Sequence, residues 1–241
     1  MKSYSSGEGG SPYRLVPQPI INAPAVVAAL LFLMAGVHLA TLLLKPQLRE
    51  GVYALFGFVP VSLSSIAKIP AGDQAIVLST LVTHTFLHAN FLHLAVNGMW
   101  FLAFGSFMAR RQGVPAFLAF YFLCGVAGAL SHFALDPMSA VPVVGASGAI
   151  SGLMGGAARL IFSPGVRVFG TDALVTQVAP LTDRRVLGFA GVWTAVNVLF
   201  GVAGGFGMAG EGTTIAWLAH LGGFYCGLLT VPLFLRRTVV L

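Results

Sequence analysis

Apolar runs divide the chain. Residues 20–44 form an apolar run, long enough to cross a bilayer with some tilt. Further runs occupy 91–108, 114–135, 146–162, 186–206 and 214–235. The pattern predicts an all-α polytopic membrane protein with a bundle of six transmembrane helices. Residues 45–74 break it, because Pro46, Pro60, Pro70 and several serines interrupt apolar patches such as 52–61. That segment is too interrupted to span and too apolar for an ordinary loop, so it is expected to lie in the membrane interface. Residues 75–88 are apolar again and read as a helix entering from the interface, so 45–90 forms a long first outer loop. Residues 163–185 make a longer polar connection to which the sequence assigns no role. Residues 204–212 are glycine-dense, carry Glu211, and are expected to be mobile. Residues 1–18 are polar, rich in Gly, Ser and Pro, and lack the signal-peptide pattern. They read as a disordered cytoplasmic tail before one membrane domain over 19–241.

Composition agrees with this. The chain is 57% hydrophobic and 8% charged, against about 25% charged in soluble domains. The net charge of +6 raises nucleic acid as a partner, but the basic residues fall at the ends of apolar runs, where topology signals belong. With the N-terminus inside, the inner segments hold Lys2, Arg14, Arg110, Arg111, Arg159, Arg167, Arg184, Arg185, Arg236 and Arg237. The outer side holds Lys45, Arg49 and Lys68. Both termini are thus expected in the cytoplasm, as in a bacterial inner-membrane protein, and Ser147 toward the outer face. Cys124 and Cys226 lie within apolar runs and read as small buried hydrophobes.

Polar side chains inside spans are costly and point to function. No Asp or Glu lies deep in a span, which excludes an aspartyl dyad, and no H-E-x-x-H occurs. His84 and His88 have metal-ligand spacing without the glutamate; a metal pair there is the lesser reading, and no metal or cofactor is assigned. Ser147 stands in G-A-S-G at the start of a helix with Gly148, Gly152 and Gly156 on one face. A helix N-terminus suits a developing oxyanion, although small residues four apart more simply mean packing. His220 stands in A-H-L-G-G-F-Y-C-G, and Gly223 and Gly227 share its face. Two glycine faces can pack closely and bring His220 to Ser147, where it can act as a base in a dyad. A structural bond between helices is the alternative. His93 and Asn97, four apart, either complete an oxyanion hole with the Ser147 backbone N–H or bond between helices. Asn197 and Thr194 read as packing groups.

Taken together, H-A-N-F-L-H-L-A-V-N, G-A-S-G and A-H-L-G-G-F-Y-C-G, in this order on the second, fourth and sixth spans, resemble the rhomboid family of intramembrane serine proteases. The resemblance covers roughly 20–235. It implies Ser147 as nucleophile, His220 as general base, and His93 and Asn97 as oxyanion donors. It implies a structural role for His84 and His88, a loop over the site at 204–212, and transmembrane helices of other proteins as substrates in the lipid. Two features depart from the family. Ser151 stands where some members carry an aromatic residue against the histidine, a place that Phe224 or Trp193 is then expected to fill. The Trp-Arg of some first outer loops is missing. Two other functions fit the residues: a catalytically weak relative that binds membrane helices, and a small histidine-using transporter. The sequence carries no signal for an oligomeric state.

Overall fold

The computed structural model describes residues 23–163, 166–167, 174–175, 177–205 and 217–235. The expected tail at 1–18, most of the glycine-dense link (206–212, with Glu211), the first residues of the sixth run (214–216) and Arg236–Arg237 lie outside them. Ten α-helices are described: α1 Ala25–Leu42, α2 Pro46–Phe56, α3 Pro60–Ser64, α4 Ala71–Thr83, α5 Phe91–Trp100, α6 Ser106–Gln112, α7 Val114–Leu135, α8 Ser147–Ile161, α9 Arg184–Gly205 and α10 Trp217–Thr230. A π-helical segment, Phe101–Gly105, joins α5 to α6 into one rod, and a 3-10 turn, Val231–Phe234, extends α10. Among the described residues four helices are long and apolar enough to cross a membrane: Ala25–Leu42, Phe91–Gln112, Val114–Leu135 and Trp217–Phe234. With α8 and α9 they form the expected six-helix bundle.

The helix ends follow local chemistry. Pro46 and Pro60 open α2 and α3, where a missing N–H costs nothing. The Asn90 side chain accepts from the His93 N–H at 2.8 Å and caps α5. Gly113 has φ +75°, so the chain reverses between α6 and α7 at a residue free to adopt it. The 114–135 run forms α7 with the expected bounds. The second span runs past Met108 to Gln112, its last turn carrying Arg110 and Arg111 before Gly113.

The expected first outer loop, 45–90, is largely helical. It folds into α2, α3, a 3-10 turn at Ile66–Lys68, α4 and a second 3-10 turn at His84–Phe86. Two hydroxyls of this stretch tie it to its neighbours. Ser64 Oγ donates to Pro137 O at 2.7 Å, and Thr83 Oγ1 to Phe56 O at 2.7 Å.

α8 is the centre of the bundle. It is buried from Gly148 to Leu160, packed between α7 and α10. Its small residues permit that burial. Phe101, Phe117, Phe120 and Tyr121, all fully buried, fill the core on its α5–α7 side, and Phe224 does so on its α9–α10 side. Phe32 and Leu39 on α1, and Leu199 and Phe200 on α9, face outward, as lipid-facing side chains should.

α8 has 15 residues, about 22 Å of helix against a hydrocarbon core of about 30 Å. Its first residue, Ser147, is half-buried, between the buried Ala146 and Gly148. At its other end Arg159, expected among the interfacial cations, is buried. Its Nε donates to Ala179 O at 2.8 Å and its Nη1 to Leu228 O at 3.1 Å. The Ala179 N–H returns a bond to Arg159 O at 2.8 Å. The 163–185 connection, which carries a two-residue antiparallel ladder (Val166↔Val175, Arg167↔Leu174), is thereby tied to the ends of α8 and α10.

Candidate active site

Glycine against glycine brings α8 and α10 together. A Cβ on Gly223 would run into the Gly148 carbonyl, and one on Gly227 into the Gly152 carbonyl. On the opposite side a Cβ on Gly152 would meet Cys124 of α7. The backbones approach as closely as side-chain-free faces allow. This approach sets His220, one turn before Gly223, against the first residue of α8. His220 Nε2 lies 2.8 Å from Ser147 Oγ.

The loop before Ser147 is pinned from the other side. Phe58 and Val143 form an isolated antiparallel bridge, with N–H to O distances of 3.0 and 2.8 Å. The Gly145 N–H donates to His84 O at 3.0 Å. Gly145 has φ +121°, and a Cβ there would lie 2.8 Å from Cε1 and Nε2 of His93 and 3.7 Å from Nδ2 of Asn97. The ring and the amide from α5 therefore converge on the backbone two residues before Ser147. Their helix is aimed there by the Asn90 cap and by the fit of α5 to α8. Asn97 is buried.

His38, His84 and His88 hold structure. His84 Nδ1 lies 2.9 Å from Thr80 O, and His38 Nδ1 lies 3.1 Å from His88 O, to which Tyr53 Oη also donates at 3.0 Å. The His88 ring meets the His93 ring edge-on, with centroids 5.2 Å apart. His84 and His88 thus support the Gly145 loop and His93 from behind. No group of three or more His, Cys, Asp or Glu placed to hold a metal occurs among the described residues.

One residue at the site has a part that its sequence setting does not reveal. Asn197 of α9 is buried, and its Oδ1 lies 2.9 Å from His220 Nδ1. It reads as a packing amide because nothing in the sequence says which face of α9 meets α10. The available signal is the general one, a polar side chain within an apolar span. The rings expected to replace an aromatic residue at Ser151 do something else. Trp193 and Phe224 pack on each other with centroids 6.0 Å apart, and Phe189 lies 6.1 Å from Phe224. They clamp α9 to α10 one turn away from the Asn197–His220 pair. Thr194 Oγ1 and Tyr225 Oη, 2.7 Å apart, add a polar contact along the same seam.

A serine hydroxyl at a half-buried helix start, with one imidazole nitrogen on it and two polar side chains beside the preceding loop, has the groups that acyl transfer requires. A family model described as the rhomboid domain matches residues 77–237, and the chain belongs to the rhomboid family. Over 133 residues it is 33% identical to the rhomboid-family protein YdcA of Bacillus subtilis, covering 52% of this chain and 63% of YdcA. It is 33% identical over 104 residues to the rhomboid protease GluP of the same bacterium, covering 42% of this chain and 20% of GluP. It is 29% identical over 151 residues to the Rhomboid-like protease 3 of Toxoplasma gondii, covering 63% of this chain and 49% of that protein. The alignments span less than two thirds of each of these relatives. The protein is an integral membrane member of the family.

Proposed function

We propose that this protein is an intramembrane serine endopeptidase that cleaves transmembrane helices of other membrane proteins near the outer membrane face. The observation that carries the proposal is the 2.8 Å contact between Ser147 Oγ and His220 Nε2 at the half-buried start of α8. In this mechanism Ser147 Oγ attacks the substrate carbonyl while its proton passes to His220 Nε2. The oxyanion is received by the Ser147 N–H, which has no partner within its helix, and by His93 and Asn97. His220 then protonates the leaving amine, and water, activated by the same nitrogen, releases the acyl-enzyme. The substrate helix must unwind locally to offer a carbonyl, since backbone groups paired inside a helix are unreactive and costly to open in lipid. No cofactor enters the mechanism. Both termini are assigned to the cytoplasm and the protein to a bacterial inner membrane, on the asymmetry of its basic residues.

The test uses the purified full chain in proteoliposomes with a single-span reporter, the cut being located by mass spectrometry. Wild type is expected to cut within or at the edge of the span. Ser147→Ala and His220→Ala are each expected to lose about 10³-fold or more. Equal cleavage by Ser147→Ala would overturn the proposal. Absence of cleavage with retained reporter binding would reassign the protein as a helix-binding relative.

A further inference from the structure

Resting on this reading of Ser147 and His220, we infer that Asn197 of α9 is a positioning residue that fixes the catalytic tautomer of His220. The hydrogen bonds determine the direction of each proton. Asn197 Nδ2 donates to the Trp193 backbone carbonyl at 2.9 Å. That carbonyl can only accept, so turning the amide over would set oxygen against oxygen. The Asn197 carbonyl oxygen therefore faces His220 Nδ1, and at 2.9 Å it requires a hydrogen there. A neutral imidazole has one N–H. With that hydrogen on Nδ1, Nε2 is a bare lone pair 2.8 Å from Ser147 Oγ, and the hydroxyl must donate to it. The opposite tautomer would put two lone pairs face to face in a buried place and turn an N–H toward the nucleophile.

Asn197 suits this place chemically. It is 4% exposed, deep in an apolar seam. A carboxylate would give the same acceptor but would carry a charge into a low-dielectric setting. The amide supplies the acceptor without the charge, and its dipole also faces the imidazolium that forms when Ser147 gives up its proton. Trp193 is the backbone anchor and, through Phe224, the clamp between α9 and α10. The base is therefore prepared by a helix that supplies neither the nucleophile nor the base.

The experiment compares the purified full-length wild type with Asn197→Leu, which keeps the volume and removes the acceptor, and Asn197→Asp, whose carboxyl, held neutral in this apolar seam, keeps the acceptor toward His220 and turns its O–H to the Trp193 carbonyl. Ser147→Ala is the control for the activity. Three readouts are taken: kcat and KM on a transmembrane reporter, the thermal midpoint, and the 15N signals of the His220 ring. Wild type is expected to show a protonated Nδ1 and a bare Nε2. Asn197→Leu is expected to lower kcat roughly 10–100-fold, the scale of lost orienting partners, with KM and the thermal midpoint retained and the ring signals averaged between tautomers. Asn197→Asp is expected to recover most of kcat and the single tautomer. A wild-type His220 protonated on Nε2, or an Asn197→Leu enzyme with full kcat, would overturn the inference. If wild type and Ser147→Ala cleave alike, the endopeptidase reading fails instead, and the ring signals still decide the tautomer.

Discussion

Replacing Gly227 by alanine adds one methyl at the tightest crossing of the bundle. The new Cβ would fall inside contact distance of the Gly152 carbonyl. A backbone oxygen in mid-helix cannot rotate away, so the helices must part by roughly 1.5 Å to restore an ordinary contact. His220 lies two turns from Gly227. Movement there of roughly half that amount takes the 2.8 Å contact with Ser147 to about 3.5 Å, the limit of a hydrogen bond. A misplacement of this order costs about 10²-fold in rate. Overpacking costs about 1–3 kcal/mol, offset by about 1 kcal/mol of helix propensity gained on losing glycine. Gly188 of α9 provides the control, since a Cβ there meets nothing within 4 Å. Gly188→Ala is expected to keep full turnover and to raise the thermal midpoint slightly. The assay is turnover of a transmembrane reporter together with thermal unfolding in detergent. If Gly227→Ala matched Gly188→Ala in both, the interlocked glycine faces would not be what positions the histidine.

Gly145→Ala would strain a backbone at φ +121° and press on the His93 ring; a folded protein with kcat down about 10²-fold is expected, checked by kinetics beside a thermal melt. Arg159→Met would leave the Ala179 and Leu228 carbonyls without their side-chain donor; a loss of about 2 kcal/mol is expected, read from thermal unfolding. At the start of α9 the Arg185 guanidinium, and then the Arg185 backbone N–H, hold the Asp183 carboxyl down at about 2. Because the folded form binds this proton less readily than the unfolded chain, its contribution is present above the ordinary carboxylate range and lost as pH falls through about 2. Asp183→Asn should flatten that part of the pH–stability curve, measured as thermal midpoint against pH.

How far the sequence carried depends on whether each feature is written locally. The 114–135 run is a helix of the expected length because Gly113 before it and Asp136-Pro137 after it mark its ends. Gly148 and Gly152 of G-A-S-G-A-I-S-G, and Gly223 and Gly227 of A-H-L-G-G-F-Y-C-G, fall on single faces, so close approach of two helices was legible, as were the positions of Ser147 and His220 upon them. The first connection was less so. Its prolines look like interruptions, yet Pro46 and Pro60 start helices, and Ser64 bonds to a neighbouring loop. The π segment at Phe101–Gly105 has no sequence signature. Arg159 looks like any interfacial cation until the 163–185 connection folds back onto it. Asn197 is the instructive case. Its meaning depends on the rotation of α9, and that rotation is set by Phe189 and Trp193 packing on Phe224, a tertiary contact that no local pattern encodes.

The nucleophile itself is best tested by labelling the full chain with a fluorophosphonate and mapping the adduct by mass spectrometry, with Ser147→Ala and His220→Ala in parallel. An activated Ser147 should carry the label in the wild type, with less of it at acid pH as His220 takes up a proton, and neither variant should carry it. A label that persists in Ser147→Ala, or a wild type that cleaves substrate and takes no label on Ser147, would contradict the assignment of this serine and histidine as the catalytic pair.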